Sequence, residues 1–173
     1  MAITLLRHAP LHPQHQGRYN GWTDLPIDYT QLSSATVDIL TQHPFTHVYS
    51  SDLKRCTQTL VYMGITHFTT DPRLREVRFK AHIEGKSFDD ITKLNSYDPT
   101  LLDDADRWHS FVCAESKEAF ERRIYRFLEA LPTEGEILIC SHAGTLQKIL
   151  AILGLARPNI AYLEAIRIEH GIS

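Results

Sequence analysis

The sequence predicts an α/β fold, a three-layer sandwich around a mostly parallel central sheet. Three observations predict it. Two short apolar runs, AITLL ahead of Arg7-His8 and EILIC ahead of Ser141-His142, read as buried strands of a parallel sheet. Between them, strand-like runs alternate with apolar stripes at helical spacing. Both runs also end in a histidine at the carboxyl end of the strand, where open α/β sheets bind their ligands.

The elements follow in order. Residues 2–6 form the first strand, and a loop rich in Pro, His, Gln and Gly runs to Asp28. Leu32, Ala35 and Ile39 share a face and predict a helix over residues 30–42. Residues 46–50 read as the second strand, followed by a helix with Leu53, Cys56 and Leu60 on one face. Residues 67–70 make a third strand ahead of Pro72. Residues 87–95 and 104–112 predict short helices. Phe120, Ile124, Phe127, Leu128 and Leu131 form the clearest helical stripe, which reads as core. Residues 137–140 are the next strand, and Leu146, Ile149, Leu150 and Leu153 face inward on the helix after it. Residues 161–168 make a last strand, suited to a sheet edge. No repeat, linker or low-complexity tract divides residues 1–173, so a single domain is expected.

Composition narrows the function. Apolar residues make up 43% and charged residues 23%, both ordinary globular values. A net charge of −3 gives no reason to expect nucleic acid or an anionic membrane as partner. The longest apolar stretch, residues 149–156, is too short to span a bilayer, and no basic region with a long apolar segment opens the chain. Cys56, Cys113 and Cys140 make neither a disulfide framework nor a zinc pair; three reduced thiols in a cytoplasmic protein are expected.

The chemistry-bearing residues converge on phosphate. A neutral imidazole can attack phosphorus, and arginine can hold phosphate oxygens in a bidentate fork. Arg7-His8 and His142 supply that pair of functions at two strand ends. The segment VYSSDLKRCTQTL places Arg55 in the first turn of a helix, already a favourable place for an anion. Glu76 lies within the basic stretch DPRLREVRF; a carboxylate beside a phosphate dianion can be held protonated and act as general acid. The loop GRYNGWTDLPI adds Arg18, Asn20 and the backbone amides around Gly17 and Gly21.

These segments, in this order, resemble the histidine phosphatase superfamily in its phosphoglycerate-mutase-like branch. LLRHA, GRYNGWTDLPI, YSSDLKRCTQT, LREVRF with a following Glu-Gly, and ILICSHAGT carry the resemblance from residue 3 to about residue 150. The resemblance implies that His8 is the nucleophile, that Arg7, Arg55 and His142 bind the phosphoryl oxygens, and that Glu76 is the proton donor. It places Asn20, with Gly21, Gln14 and Ala143, among the substrate contacts, and it implies no metal and no organic cofactor. Arginines and a second histidine then supply the positive charge that Mg²⁺ supplies elsewhere. Departures lie at Ala9 and Ala143, where glycine is usual, and at Gln14, where asparagine is usual. After Phe79 the chain runs through Lys80, His82, Glu84 and Gly85 with one extra residue.

The expected activity is hydrolysis of a small phosphorylated metabolite. A bisphosphoglycerate-dependent mutase, a phosphohistidine phosphatase and a non-catalytic phosphate-binding module are the alternatives. The compact length and the GRYNGWTDLPI loop are also similar to α-ribazole phosphatases. Plainer roles stand beside these. Asn20 also fits a turn before Gly21, and Glu76 also fits a surface pair with Arg75 or Arg78. Arg73, Arg75, Arg78 and Lys80 fit a solvated basic face as well as an anion contact. His12 and His15 lack a third ligand at metal-binding spacing. Trp108, Phe111, Tyr97 and His109 are candidates for a lid, with core packing favoured for the aromatics. Oligomeric state is not readable from these residues.

Overall fold

The computed structural model describes residues 1–33, 44–155, 157 and 159–169. Among them a five-stranded sheet runs in the order β3-β2-β4-β1-β5. The strands are β1 (Ala2–Arg7), β2 (His47–Ser50), β3 (Thr69–Thr70), β4 (Glu136–Ser141) and β5 (Ala165–Glu169). All neighbours pair in parallel except β5, which joins β1 antiparallel at the edge.

The apolar runs alternate in the faces they serve, as pleating demands. Ile3, Leu5, Ile137 and Ile139 pack against α4 (Lys117–Glu129) and α5 (Ala143–Ile152), meeting Phe120, Ile124, Phe127, Leu146 and Ile149. Leu6, Leu138 and Cys140 point the other way and meet Cys56 and Leu60 of α1 (Lys54–Tyr62). Both faces of β1 and β4 are thus buried, so these strands read as continuous apolar runs. The predicted three-layer α/β sandwich is the observed one.

A third cluster stands apart from the sheet. Ile83, Ile91, Val112 and Cys113 gather Tyr19, Phe79, Tyr97, Trp108 and Phe111 around α2 (Phe88–Thr92) and α3 (Ala105–Val112). The aromatics considered for a lid therefore pack as a small core of their own, and His109 bonds through Nε2 to the Glu115 carbonyl. Both helices are shorter than the sequence suggests. A capping box at Ser87 and Asp90 starts α2, and Asp104 caps α3.

Three other elements differ from expectation; the last strand, read over residues 161–168, begins only at Ala165, after a turn at residues 161–164. Tyr29–Gln31 is a 3₁₀ turn capped by Asp28, and Leu32 is extended. The helix read over residues 30–42 is therefore absent where it would begin, and its remainder, residues 34–42, lies outside the described residues. The third strand shrinks to Thr69–Thr70 at the sheet edge.

Candidate active site

Strand register builds the site. Arg7 pairs with Ser141 in the parallel ladder, so the next residues, His8 and His142, leave neighbouring strands side by side. Their rings lie 5.3 Å apart, edge to face. One strand further over, Ser50 pairs with Cys140, which brings Ser51 to His142.

His8 is 5% exposed, and its Nδ1 lies 2.7 Å from the Ala9 carbonyl oxygen. A carbonyl only accepts, so Nδ1 carries the proton and the neutral ring keeps its lone pair on Nε2. Ala9 is itself pinned: its N–H donates to Thr59 Oγ1 at 2.8 Å, and that hydroxyl donates to the Arg55 carbonyl at 2.6 Å. Burial, then the Arg55 guanidinium, push the His8 pKa well below 6.5; Arg7 adds to this and the Ala9 carbonyl opposes it. The ring is therefore neutral at physiological pH.

Arg55 is 1% exposed. Its Nη1 donates to the Thr23 carbonyl at 2.8 Å, its Nη2 to the Gly21 carbonyl at 2.7 Å, and its Nε to His142 Nδ1 at 3.0 Å. A guanidinium has five N–H groups, so two remain for a ligand. Because Arg55 only donates, His142 Nδ1 is unprotonated, and the ring proton sits on Nε2, 2.9 Å from Ser51 Oγ. Burial, followed by Arg55 and His8, holds the His142 pKa well below 6.5. Both nitrogens of His142 are engaged within the protein, Nδ1 by Arg55 and Nε2 by Ser51.

Arg7 donates from Nη1 to the Ile160 carbonyl at 2.6 Å, and its guanidinium lies 3.8 Å from the centre of the Tyr162 ring. Its Nε is the one buried side-chain nitrogen or oxygen without a hydrogen-bond partner among the described residues. An unmet buried donor is costly, and an arriving oxyanion is the natural group to approach such a guanidinium.

Glu76 is 9% exposed and sits at the start of α5. Its Oε2 accepts from Gly144 N–H at 2.9 Å and its Oε1 from Val77 N–H at 2.9 Å. Only glycine permits this approach, since a Cβ at Gly144 would lie 2.5 Å from Glu76 Oε1. The segment that carries Glu76 is stapled by Arg123, which donates to the carbonyls of Arg73, Arg75 and Glu76 and pairs with both carboxylate oxygens of Glu115. Trp22 donates to the Glu76 carbonyl at 2.9 Å, and the guanidinium groups of Arg75 and Arg78 lie 4.7 and 5.1 Å from its ring centre.

These groups open onto a cleft of about 220 Å³ lined by Arg7, His8, Arg55, Glu76, His142 and Ala143 on the sheet side. Leu11, Gly17, Arg18, Tyr19, Asn20, Phe79 and Tyr162 complete its lining. Of the residues expected at the site, Arg7, His8, Asn20, Arg55, Glu76, His142 and Ala143 come together. Gly21 does not reach the cleft: its N–H donates to Glu84 Oε1 at 2.8 Å and its carbonyl holds Arg55. It is a glycine because a Cβ would meet the Val77 carbonyl at 2.7 Å and Phe79 at 2.9 Å. Gln14 also stays outside, exposed and 3.0 Å from His15 Nε2. Arg73 pairs with Asp71 and Arg75 with Asp52, and neither lines the cleft.

Sequence reasoning missed four contributors. Tyr162 and Arg123 carry no local motif, and Ser51 and Thr59 lie within YSSDLKRCTQT without a role that its spacing shows; each acts through a contact far along the chain. Leu163 offers a signal only in the structure: its φ of 61° places it in the left-handed region, worth about 1–2 kcal/mol of strain for a branched side chain.

A strand-end imidazole with a free Nε2, two arginines and a buried carboxylate make a site for phosphoryl chemistry. The chain belongs to the histidine phosphatase superfamily, branch 1, whose family model matches residues 3–166. That membership supports activity of the phosphatase or mutase type, with a phosphohistidine intermediate the rule among its members. The structure is similar to that of TTHB049 from Thermus thermophilus, at 26% identity and a TM-score of 0.74, covering 98% of this chain and 94% of that one. Its fold also matches a phosphoglycerate mutase from the same organism, at 24% identity and TM-score 0.72 over 98% and 93% of the two chains. A phosphoglycerate mutase from Bacillus anthracis str. Sterne shares the fold at 19% identity and TM-score 0.75, over 96% and 86%. No curated protein matches by sequence. Among the described residues no helix is long and apolar enough to cross a membrane.

Proposed function

We propose that the protein hydrolyses a small phosphomonoester through a phosphohistidine on His8. The observation that carries this reading is the tautomer of His8: Nδ1 bound to the Ala9 carbonyl, Nε2 left with a lone pair. Nε2 attacks phosphorus while the bond to the leaving oxygen breaks. Arg7 and the two remaining N–H groups of Arg55 take up charge on the non-bridging oxygens. Glu76 gives a proton to the leaving alkoxide. Water then attacks the phosphohistidine, Glu76 receives its proton, and inorganic phosphate leaves with Nε2 restored. Asn20 and Ala143 border the bound phosphate in this reading. No residue role calls for a metal or organic cofactor.

Hydrolysis is preferred to mutase activity because, besides Arg7 and Arg55, the one cation that lines the cleft is Arg18, and it is tied to Asp90 at 3.0 Å. The second anionic group of a bisphosphate would find no free cation among these residues. The buried thiols of Cys56, Cys113 and Cys140 fit a reducing, cytoplasmic setting. The test is p-nitrophenyl phosphate in the presence of EDTA. Metal-independent release of one phosphate per nitrophenol supports the reading. Tight phosphate binding without turnover, or transfer to an added phosphoglycerate in place of water, overturns it.

A further inference from the structure

We infer that Tyr162 is a positioning residue for Arg7 and that the turn carrying it exists to fix the arginine's edge toward the phosphoryl group. The inference rests on the phosphoryl-transfer reading above. Four contacts fix Arg7, all from one short segment. The Tyr162 ring covers one face of the guanidinium at 3.8 Å. The Ile160 carbonyl takes Nη1 at 2.6 Å. The backbone of Arg7 is held on both sides, its N–H by the Glu164 carbonyl and its carbonyl by the Leu163 N–H, each at 3.1 Å.

The segment is built for this. Glu164 closes the turn by accepting from the Ala161 N–H at 2.7 Å, and its own N–H donates to the Ala161 carbonyl at 3.1 Å. Leu163 adopts φ 61°, and among the described residues it alone of the non-glycines lies in the left-handed region. Strain of this kind persists only where surrounding contacts enforce it, and it concentrates at functional sites. Here it turns Tyr162 inward, so that the ring lies over Arg7 and 5.5 Å from the His8 ring.

With one face stacked and Nη1 occupied, the guanidinium keeps Nε and Nη2. Those two lie on one edge and donate in parallel, the geometry that meets two oxygens of a phosphoryl group at once. Nε is the buried donor without a partner. A guanidinium free to rotate would present this edge for only part of the time.

The test reads the inhibition constant of inorganic phosphate during hydrolysis of p-nitrophenyl phosphate. Tyr162→Leu removes the ring and raises that constant about tenfold, the value of a desolvated cation–π contact. Tyr162→Phe keeps the ring and restores the constant to within about threefold of the parent. In an Arg7→Lys background, whose ammonium presents no planar edge, Tyr162→Leu adds less than about threefold. An unchanged constant in Tyr162→Leu, or full additivity with Arg7→Lys, overturns the inference. If Tyr162→Leu does not fold, Tyr162→Met carries the same comparison, and loss of the fold in both overturns a positioning role in favour of a structural one. If the parent neither turns over the substrate nor is inhibited by phosphate, the phosphoryl-transfer reading fails and this inference falls with it.

Discussion

At the scale of single residues, the division of labour proposed for His8 and Glu76 follows from what each atom is bonded to. His8 has one nitrogen committed to a carbonyl and one free. Glu76 has both oxygens oriented by backbone N–H groups, so its carboxyl is aimed. Glu76→Gln keeps the shape but cannot transfer a proton. We expect it to lower kcat for alkyl phosphates by about 10² to 10⁴, the usual range for a general acid. For p-nitrophenyl phosphate, whose leaving group needs little protonation, the loss should be much smaller. Steady-state rates on both substrate types check this, and equal losses would mean that the proton donor lies elsewhere. His8, Arg7, Arg55 and His142 were legible in the sequence because each stands at a strand end or in the helix turn just after one. Tyr162 was not, because its contact with Arg7 spans most of the chain and rests on a single left-handed residue.

At the scale of elements, the start of α5 does two jobs. Its first turn faces the cleft at Ala143, and the N–H of Gly144 holds Glu76. In most helix positions alanine is preferred to glycine by about 1 kcal/mol. Here a Cβ would stand 2.5 Å from Oε1 and 3.1 Å from the carboxyl carbon, so the carboxyl must move. Gly144→Ala should therefore fold, with a melting temperature no higher than the parent's because the displaced carboxyl gives up the Gly144 N–H, and lose roughly 10- to 100-fold in kcat for alkyl phosphates, as a 1 Å misplacement does. Undiminished kcat would show that the position of Glu76 does not matter. The helix itself was legible from its apolar stripe, whereas the need for glycine was not, because it arises from a loop 68 residues away in sequence. Gln14 and Gly21 err in the other direction. A loop rich in Gly and polar residues suggests many ligand contacts, but Gly21 was spent on holding Arg55 and accepting close packing from Phe79.

At the scale of the whole molecule, the sandwich places two histidines in its interior and keeps both neutral. Their folded-state pKa values lie well below 6.5, chiefly through burial. In the unfolded chain both take up protons as pH falls through about 6.5, while the folded chain refuses them. Stability is then fully present above that pH and is lost below it, by about 1.4 kcal/mol per pH unit for each histidine. Denaturant unfolding between pH 7.5 and 5.5 should show this fall, and His8→Ala should show about half of it. A flat profile would contradict the buried neutral pair. The sheet and its layers were legible because buried parallel strands leave uninterrupted apolar runs. The length of the 3₁₀ turn at Tyr29–Gln31 was not, because Asp28 caps a single turn there and the apolar spacing beyond it says nothing about where a helix starts.

The central claim, that His8 carries the phosphoryl group, is tested most directly by rapid mixing of the protein with ³²P-labelled substrate and an alkaline quench. Label is expected on His8 that survives base, is released by acid, and turns over when unlabelled substrate follows. His8→Ala should fold, bind phosphate and take up no label. Label on another residue, or label that persists in His8→Ala, would contradict the account.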